Sequence, residues 1–186
     1  MNGSKELKKI LFCGLESGGK TSILLLVDKK FSLLTTVKPT IKVKRSSHTS
    51  DLLGAKIIRW DLGGQKSYRK IYLSDKSQYF TEMQSIFYVI DVQAPEKFEE
   101  SLAFLQNILT ITSESHPENF QFLIMLHKYD PDLRYNEAIN NQIKHLEKKI
   151  STMIKEVKFS IYRTSIYDEP SILKAFSDGV FYATHK

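Results

Sequence analysis

A glycine-rich segment near the start of the chain has the residue types and spacing needed to hold a phosphate group. Residues 14–21 read G-L-E-S-G-G-K-T, a complete GxxxxGK[ST] pattern between a predicted strand and a predicted helix. Glycines let backbone N–H groups approach a polyphosphate closely, and a helix N-terminus favours negative charge. Lys20 would reach the β- and γ-phosphates, and the Thr21 hydroxyl would be a ligand of Mg²⁺. The alternative is a glycine turn before an ordinary helix, and the complete pattern in this context argues against it.

A second segment, residues 61–65 with the sequence D-L-G-G-Q, could contribute to the same chemistry. It follows an apolar stretch of strand length. An acidic residue at a strand end can hold Mg²⁺ through water, a following glycine can donate its N–H to a γ-phosphate, and a glutamine can orient an attacking water. Asp61 and Gln65 are therefore candidates. Alone, such residues make a common turn, so the segment gains weight only beside the first one.

Two later segments carry groups that could read a purine base. Residues 127–130, H-K-Y-D, end an apolar run, and the Asp130 carboxylate could accept hydrogen bonds from N1–H and N2–H₂ of guanine, a donor pair that adenine lacks. The stem of Lys128 can lie over a base, and residues 164–166, T-S-I, could offer backbone N–H groups to guanine O6. Taken alone, His127 is better explained as a structural or solvent-facing histidine. The other four histidines have no metal-ligand spacing.

All these segments follow predicted strands, which alternate with predicted helices. Apolar runs predict strands over residues 7–13, 41–44, 56–60, 86–92, 122–126 and 158–162, with a polar hairpin turn over 46–54. Helical spacing of apolar residues predicts helices over residues 20–30, 98–111, 136–157 and 171–182. The alternation predicts an α/β fold, a doubly wound and mostly parallel six-stranded sheet with helices on both faces and one antiparallel edge.

Composition narrows the class of protein. The 186 residues fit a single domain, and the single cysteine, Cys13, excludes an intramolecular disulfide and a zinc site of several cysteines. No apolar run exceeds five residues, so no membrane-spanning helix is predicted and we expect a soluble, cytoplasmic protein. The net charge of +6 could favour phosphates or anionic membranes, but the basic residues are spread along the whole chain and fit a solvated surface. No nucleic-acid-binding module is recognised.

The set of segments resembles the motifs of a small GTPase of the Ras superfamily, a P-loop NTPase fold. The first half is similar to the Arf and Arf-like family, in G-L-E at 14–16, P-T-I at 39–41 and W-D-L-G-G-Q at 60–65. The second half is similar to the G domain of Rag GTPases, in H-K-Y-D at 127–130 and Y-R-T-S-I-Y-D-E at 162–169. The resemblance covers nearly the whole chain, so we expect one G domain over residues 1–186.

The resemblance implies a role for each matching residue. Thr21, Thr40 and Asp61 would bind Mg²⁺. Gln65 would position the attacking water, and Lys20 and Thr40 would be the other catalytic residues. Gly64 would contact the γ-phosphate, and Asp130 would read guanine. The residues expected to bind GTP or GDP are Gly14, Glu16, Ser17, Gly18, Gly19, Lys20, Thr21, Ser22, Thr40, Gly64, His127, Lys128, Asp130, Thr164, Ser165 and Ile166.

The implied function is a GTP-binding switch that slowly hydrolyses GTP to GDP with Mg²⁺, in membrane trafficking or in nutrient-type signalling. Its expected partners are an effector, an exchange factor and a GTPase-activating protein. We expect any membrane association to be peripheral and without a lipid anchor, because residue 2 is Asn and no cysteine lies near Lys186. The alternatives are a module that binds GTP or GDP without hydrolysis and, less favoured, a basic protein that binds anionic surfaces.

Two departures from the family pattern bear on the site. His127 stands where most small GTPases have an Asn that ties the base loop to the phosphate loop, and a histidine can donate one hydrogen bond in its place. No arginine is assigned over the γ-phosphate, since Arg45 and Arg69 are expected at the surface. Slow intrinsic hydrolysis follows, with a partner arginine worth roughly 10³–10⁵ in rate.

Overall fold

The computed structural model describes residues 7–27, 50–52, 55–61, 69, 80, 83–113, 120–155 and 157–184. Its strands are β1 (Leu7–Gly14), β2 (Ser50–Leu52), β3 (Ala55–Asp61), β4 (Met83–Asp91), β5 (Gln121–His127) and β6 (Phe159–Thr164). They form one six-stranded sheet in the order β2-β3-β1-β4-β5-β6. Each neighbouring pair is parallel except β2 and β3, which are antiparallel. The predicted fold class is therefore confirmed.

Helices cover both faces of this sheet. They are α1 (Lys20–Val27), α2 (Phe98–Thr112), α3 (Glu137–Met153) and α4 (Glu169–Thr184). Short 3₁₀ helices, Pro95–Lys97 and Pro131–Tyr135, precede α2 and α3. In the part of the chain that the structure describes, no helix combines the length and the apolar character needed to cross a membrane.

Alternating side chains of the central strands build two separate cores. Leu11 and Cys13 of β1 join a cluster formed with α2 and α3, whereas Ile10 and Phe12 join a cluster formed with α1 and α4. This alternation follows from the two-residue period of a strand. Strands buried on both faces read as continuous apolar runs, which explains why the runs in β4 and β5 were recognisable from the sequence.

The parallel register brings the carboxyl ends of the strands to one edge of the sheet. Gly14 pairs with Val89, so the glycine-rich loop leaves β1 beside the end of β4. Asp91, His127 and Thr164 lie side by side across β4, β5 and β6. Ligands of open α/β sheets bind outside this edge. The fold therefore places the glycine-rich loop and the residues that end β5 and β6 where they can contact one ligand.

The structure corrects the predicted hairpin. β2 occupies Ser50–Leu52, which lie within the span expected to be a polar turn, and Leu52 pairs with Ala55 of β3. The strand expected at residues 41–44 lies outside the described residues. The correction has a simple cause, because this edge strand has no apolar run to mark it.

The predicted end of α3 is also wrong. The helix begins after Asn136, whose side chain accepts a hydrogen bond from the Ile139 N–H as an N-cap, and ends at Met153 rather than at Val157. Ile154 continues the apolar spacing and is buried, but its backbone is extended, with φ −95° and ψ 93°. No glycine or proline marks the stop, so the spacing alone predicted a longer helix.

Candidate functional site

The loop between β1 and α1 uses backbone conformations that favour glycine. Gly14 has a φ of 138° and Gly19 a φ of 91°, and Ser17 between them is also left-handed at 60°. A Cβ at Gly14 would lie 2.3 Å from the backbone oxygen of Val89, so a side chain there would force β1 and β4 apart. Left-handed residues in a short loop turn successive N–H groups to one side, which is how backbone nests for anions form.

The ammonium group of Lys20 lies inside this loop. Its Nζ donates to the carbonyl oxygen of Leu15 at 2.7 Å and to that of Gly14 at 3.3 Å, and the residue is only 5% exposed. Thr21 and Ser22 follow in the first turn of α1 and are partly buried. Glu16 and Ser17 are exposed, and Gly18 is buried. A cation, a helix N-terminus and loop N–H groups thus converge where a phosphate chain could lie.

His127 joins the second group of candidate residues to the first. A Cβ placed on Gly19 would lie 2.4 Å from Cδ2 and 2.8 Å from Nε2 of His127, so the imidazole packs directly on the glycine-rich loop. On its other side, Nδ1 shares a hydrogen bond of 3.0 Å with the Thr164 hydroxyl. The imidazole therefore bridges the loop after β1 and the end of β6.

Burial keeps this imidazole neutral. His127 is 1% exposed, and burial, reinforced by the nearby charge of Lys128, lowers its pKa from 6.5 to about 4. An unfolded histidine binds its proton near pH 6.5. Between pH 6.5 and 4 the unfolded state therefore binds more protons than the folded state, and the free energy of unfolding falls as the pH falls through that window.

This linkage gives a first prediction, tested with His127→Asn. Between pH 7 and pH 5 the wild type should lose about 2 kcal/mol more free energy of unfolding than the variant, because only the wild type must keep a histidine uncharged. Urea unfolding at the two pH values measures the difference. His145→Asn, which removes an exposed histidine of α3, should keep the wild-type pH dependence. If the free energy of unfolding changed equally between pH 7 and pH 5 in the wild type and in His127→Asn, that result would contradict a buried neutral imidazole.

Asp130 lies next to the last of the candidate segments. Its Oδ1 accepts a hydrogen bond of 2.5 Å from the Ser165 hydroxyl. Ser165 also accepts from the N–H of Tyr167 at 3.0 Å, and its own N–H donates to the Ser171 hydroxyl at 3.2 Å. The structure thus brings Asp130 and Ser165 together, and it gives the N–H of Ser165 a partner other than a base. Ile166 is partly buried against the core between the sheet, α1 and α4.

Lys128 is held in an unusual conformation. Its φ of 62° is left-handed, which is uncommon outside glycine. Its ammonium forms an ion pair with Asp91 at the end of β4, with Nζ and Oδ2 2.6 Å apart. The Lys128 carbonyl accepts a hydrogen bond of 2.9 Å from the side-chain amide of Gln93.

The sequence alone does not mark Asp91 and Gln93 as site residues. Neither belongs to a motif that the sequence matched, and both contact residues more than 30 positions away. The available signal was their position, because Asp91 ends β4, Gln93 lies two residues further on, and the carboxyl ends of parallel strands share one edge.

Several expected site residues lie outside the described residues, namely Thr40, Gly64 and Gln65. Asp61 is the last residue of β3, and its backbone pairs with Phe12 two residues before Gly14. Asp61 and Thr21 therefore belong to segments that meet at the same edge of the sheet. Hydroxyl and carboxylate oxygens are the donors that Mg²⁺ prefers, so these residues fit the ion chemically.

Arg69 is buried, which corrects the expectation that it lies at the surface. It is 8% exposed, its Nη2 lies 2.6 Å from Oε1 of Glu100, and its guanidinium carbon lies 5.2 Å from the centre of the Phe104 ring. Both partners belong to α2. The Arg69 guanidinium is thus held against α2 by an ion pair with Glu100 and by contact with the Phe104 ring.

Comparison with known proteins identifies the family. The model of the Gtr1/RagA G protein conserved region matches residues 9–182. ADP-ribosylation factor-like protein 3 of Saccharomyces cerevisiae is 27% identical over 160 residues, covering 81% of this chain and 76% of that protein. ADP-ribosylation factor-related protein 1 of Homo sapiens is 30% identical over 105 residues, covering 54% and 50%. Ras-related GTP-binding protein B of Mus musculus is 28% identical over 136 residues, covering 73% and 35%.

A solved structure shares the fold. The Arl6 BBS3 small GTPase from Trypanosoma brucei, solved with the nucleotide analogue GppNp, matches with a TM-score of 0.69 at 18% identity. The match covers 96% of this chain and 98% of that one. The Rag relative is much longer, because the chain spans only 35% of its length. Fold, family model and relatives agree with the resemblance in the motifs, and the chain belongs to the Gtr1/RagA family of G proteins, as a small GTPase with Arf-like and Rag-like relatives.

Proposed function

We propose that this chain is a molecular switch that binds GTP with Mg²⁺ and hydrolyses it slowly to GDP. The observation that carries the proposal is the packing of His127 on Gly19, which joins the loop around Lys20 to the segment that carries Asp130. One guanine nucleotide lying along the edge of the sheet would meet the loop with its phosphates and Asp130 with its base. Residues 1–186 would form the single G domain of this switch.

The phosphate end is expected to act by charge and position. Lys20 and the N–H groups of residues 14–19 would neutralise and hold the β- and γ-phosphates, and Mg²⁺ would neutralise the charge that develops between them. Thr21, Asp61 and Thr40 would hold that ion. Gln65 would orient the water, and Gly64 would donate its N–H to the γ-phosphate. With the Arg69 guanidinium paired to Glu100, the arginine that accelerates hydrolysis would come from a partner.

The catalytic role of Gln65 gives a second prediction. Gln65→Leu should keep the affinity for GTP and lower single-turnover hydrolysis by about 10- to 100-fold, because leucine cannot orient a water. The assay follows phosphate release from preloaded GTP with Mg²⁺. Gln142→Leu, an exposed position of α3, serves as the matched control and should hydrolyse GTP at the wild-type rate.

The same assay separates the switch from its main alternative. Hydrolysis that is equal in the wild type and Gln65→Leu would remove the proposed role of Gln65. No turnover in the wild type, even with candidate activating proteins, would favour a module that binds GTP or GDP without hydrolysis.

The switch would act through partners that distinguish the two nucleotide states. We propose an effector, an exchange factor and a GTPase-activating protein, and a cytoplasmic location with peripheral contact to a membrane. Trafficking and nutrient-type signalling are the two proposed settings, because the chain has Arf-like and Rag-like relatives. Pull-down with the protein loaded with GDP or a non-hydrolysable GTP analogue tests this, since a switch must retain different partners in the two states.

A further inference from the structure

The side chain of Gln93 contacts residues 128–130, the segment that carries Asp130, at two points. Its backbone N–H donates to Oδ1 of Asp91 at 2.9 Å, which folds the chain after β4 into a tight turn. Its side-chain Nε2 donates to Oδ2 of Asp130 and to the carbonyl oxygen of Lys128, both at 2.9 Å. The two N–H bonds of one amide are thus both directed at residues 128–130.

We propose that Gln93 is a positioning residue for the binding of guanine. Gln93 fixes the orientation of the Asp130 carboxylate, so that both carboxylate oxygens meet the edge of the base. The inference rests on the proposed function. It adds to that function a residue outside the recognised motifs, supplied by the turn after β4.

The argument begins with the acceptor positions of the carboxylate. An ionised carboxylate offers about four lone-pair positions on its two oxygens. The Ser165 hydroxyl takes a position on Oδ1, and Gln93 takes a position on Oδ2. Each oxygen keeps a second position for a donor of the base. With both oxygens held from the protein side, the carboxylate cannot rotate freely, and its remaining lone pairs keep one direction.

The same amide also supports the backbone before Asp130. Lys128 has a φ of 62°, a conformation that persists in a non-glycine residue only where its surroundings hold it. Its ammonium is held by Asp91 and its carbonyl by Gln93, so both contacts come from the end of β4 and the turn after it. Gln93 therefore acts on the orientation of the Asp130 side chain in two ways, by holding Oδ2 of Asp130 and by holding the backbone of Lys128 before it.

The consequence is selective for bases that offer two donors. Guanine presents N1–H and N2–H₂, whereas hypoxanthine, the base of inosine nucleotides, presents N1–H alone. A carboxylate that is free to rotate can accept one donor in many orientations but two donors in only one, so it gives up more rotational freedom when it binds guanine. Loss of Gln93 should therefore weaken GDP more than IDP.

The experiment measures GDP and IDP affinities of the full chain by competition with a fluorescent GDP analogue. Gln93→Ala should weaken GDP about tenfold, the worth of a hydrogen bond to a charged group, and IDP clearly less. Gln93→Glu should weaken GDP further, since its carboxylate would face Oδ2 of Asp130. Gln106→Ala and Gln106→Glu, at an exposed glutamine of α2, are the matched controls and should behave as the wild type.

Each other outcome overturns the inference. Unchanged GDP affinity in Gln93→Ala would show that the amide does not support the base site. Equal weakening of GDP and IDP would show a general structural role rather than positioning of the carboxylate. Failure of the proposed function is seen separately in the wild type, which would then bind no GDP or bind IDP equally well.

Discussion

Lys20→Ala should bind GTP and GDP at least about 100-fold more weakly than the wild type, because two or more charged hydrogen bonds to phosphate are lost together. The Lys20 ammonium is buried within the loop and donates to the carbonyls of Leu15 and Gly14. It is therefore already at the place where the phosphates are expected. No other side chain of residues 14–21 carries a positive charge, so none can replace it.

Nucleotide-exchange titration with a fluorescent GDP analogue measures this loss. Lys144→Ala, at an exposed lysine of α3, lowers the net charge equally and should bind like the wild type. Lys20→Met keeps most of the buried stem and should fail as Lys20→Ala does, while melting at nearly the wild-type temperature without nucleotide. Wild-type binding by a folded Lys20→Met would refute the phosphate site around this lysine.

The positions of the motifs could be predicted because local sequence determines them. Glycine at 14 and 19 marks left-handed turns, and the apolar runs of β4 and β5 reflect burial on both faces of the sheet. The parallel topology then fixes one edge for all the carboxyl ends. The loop after β1 and residues 127–130 could thus be expected at one edge of the sheet from the order of the strands, and the resemblance to small GTPases predicted one site for them.

The supporting contacts could not be predicted, since they depend on tertiary neighbours. Arg69 is buried because Glu100 neutralises it and Phe104 covers it, and neither partner can be read from the sequence around position 69. Gln93 is an ordinary exposed glutamine until the register of β4 and β5 places it beside Asp130. The imidazole of His127 acquires its role in the same way, from contact with Gly19.

Base specificity provides the second large effect, tested with Asp130→Asn. GTP affinity should fall about 100-fold or more, because guanine N1–H and N2–H₂ would then meet an amide that offers one acceptor instead of two. A buried donor left unpaired costs about 1–3 kcal/mol, and the loss of a charged partner costs more. XTP should bind better than to the wild type, since xanthine has a carbonyl at C2 that can accept from the new amide.

The residues around Asp130 can accommodate an asparagine, which favours the expected change in preference from GTP toward XTP. The Ser165 hydroxyl can donate or accept, so it can adapt to either end of an asparagine amide. If the asparagine places its oxygen at the position of Oδ2, it still accepts from Nε2 of Gln93, which then also keeps its hydrogen bond to the Lys128 carbonyl. Neither neighbour therefore needs to lose its hydrogen bond when the carboxylate becomes an amide, and the effect should appear in nucleotide preference rather than in folding.

Competition among GTP, ATP and XTP on the wild type and Asp130→Asn decides the assignment. Asp132→Asn removes the same charge two residues away, from an exposed position in the 3₁₀ helix, and should keep the wild-type preference for GTP. A wild type that prefers ATP would end the guanine assignment. If Asp130→Asn keeps the wild-type order of nucleotides, the base is read elsewhere, because a carboxylate that accepts both guanine donors cannot become an amide without changing which base it fits.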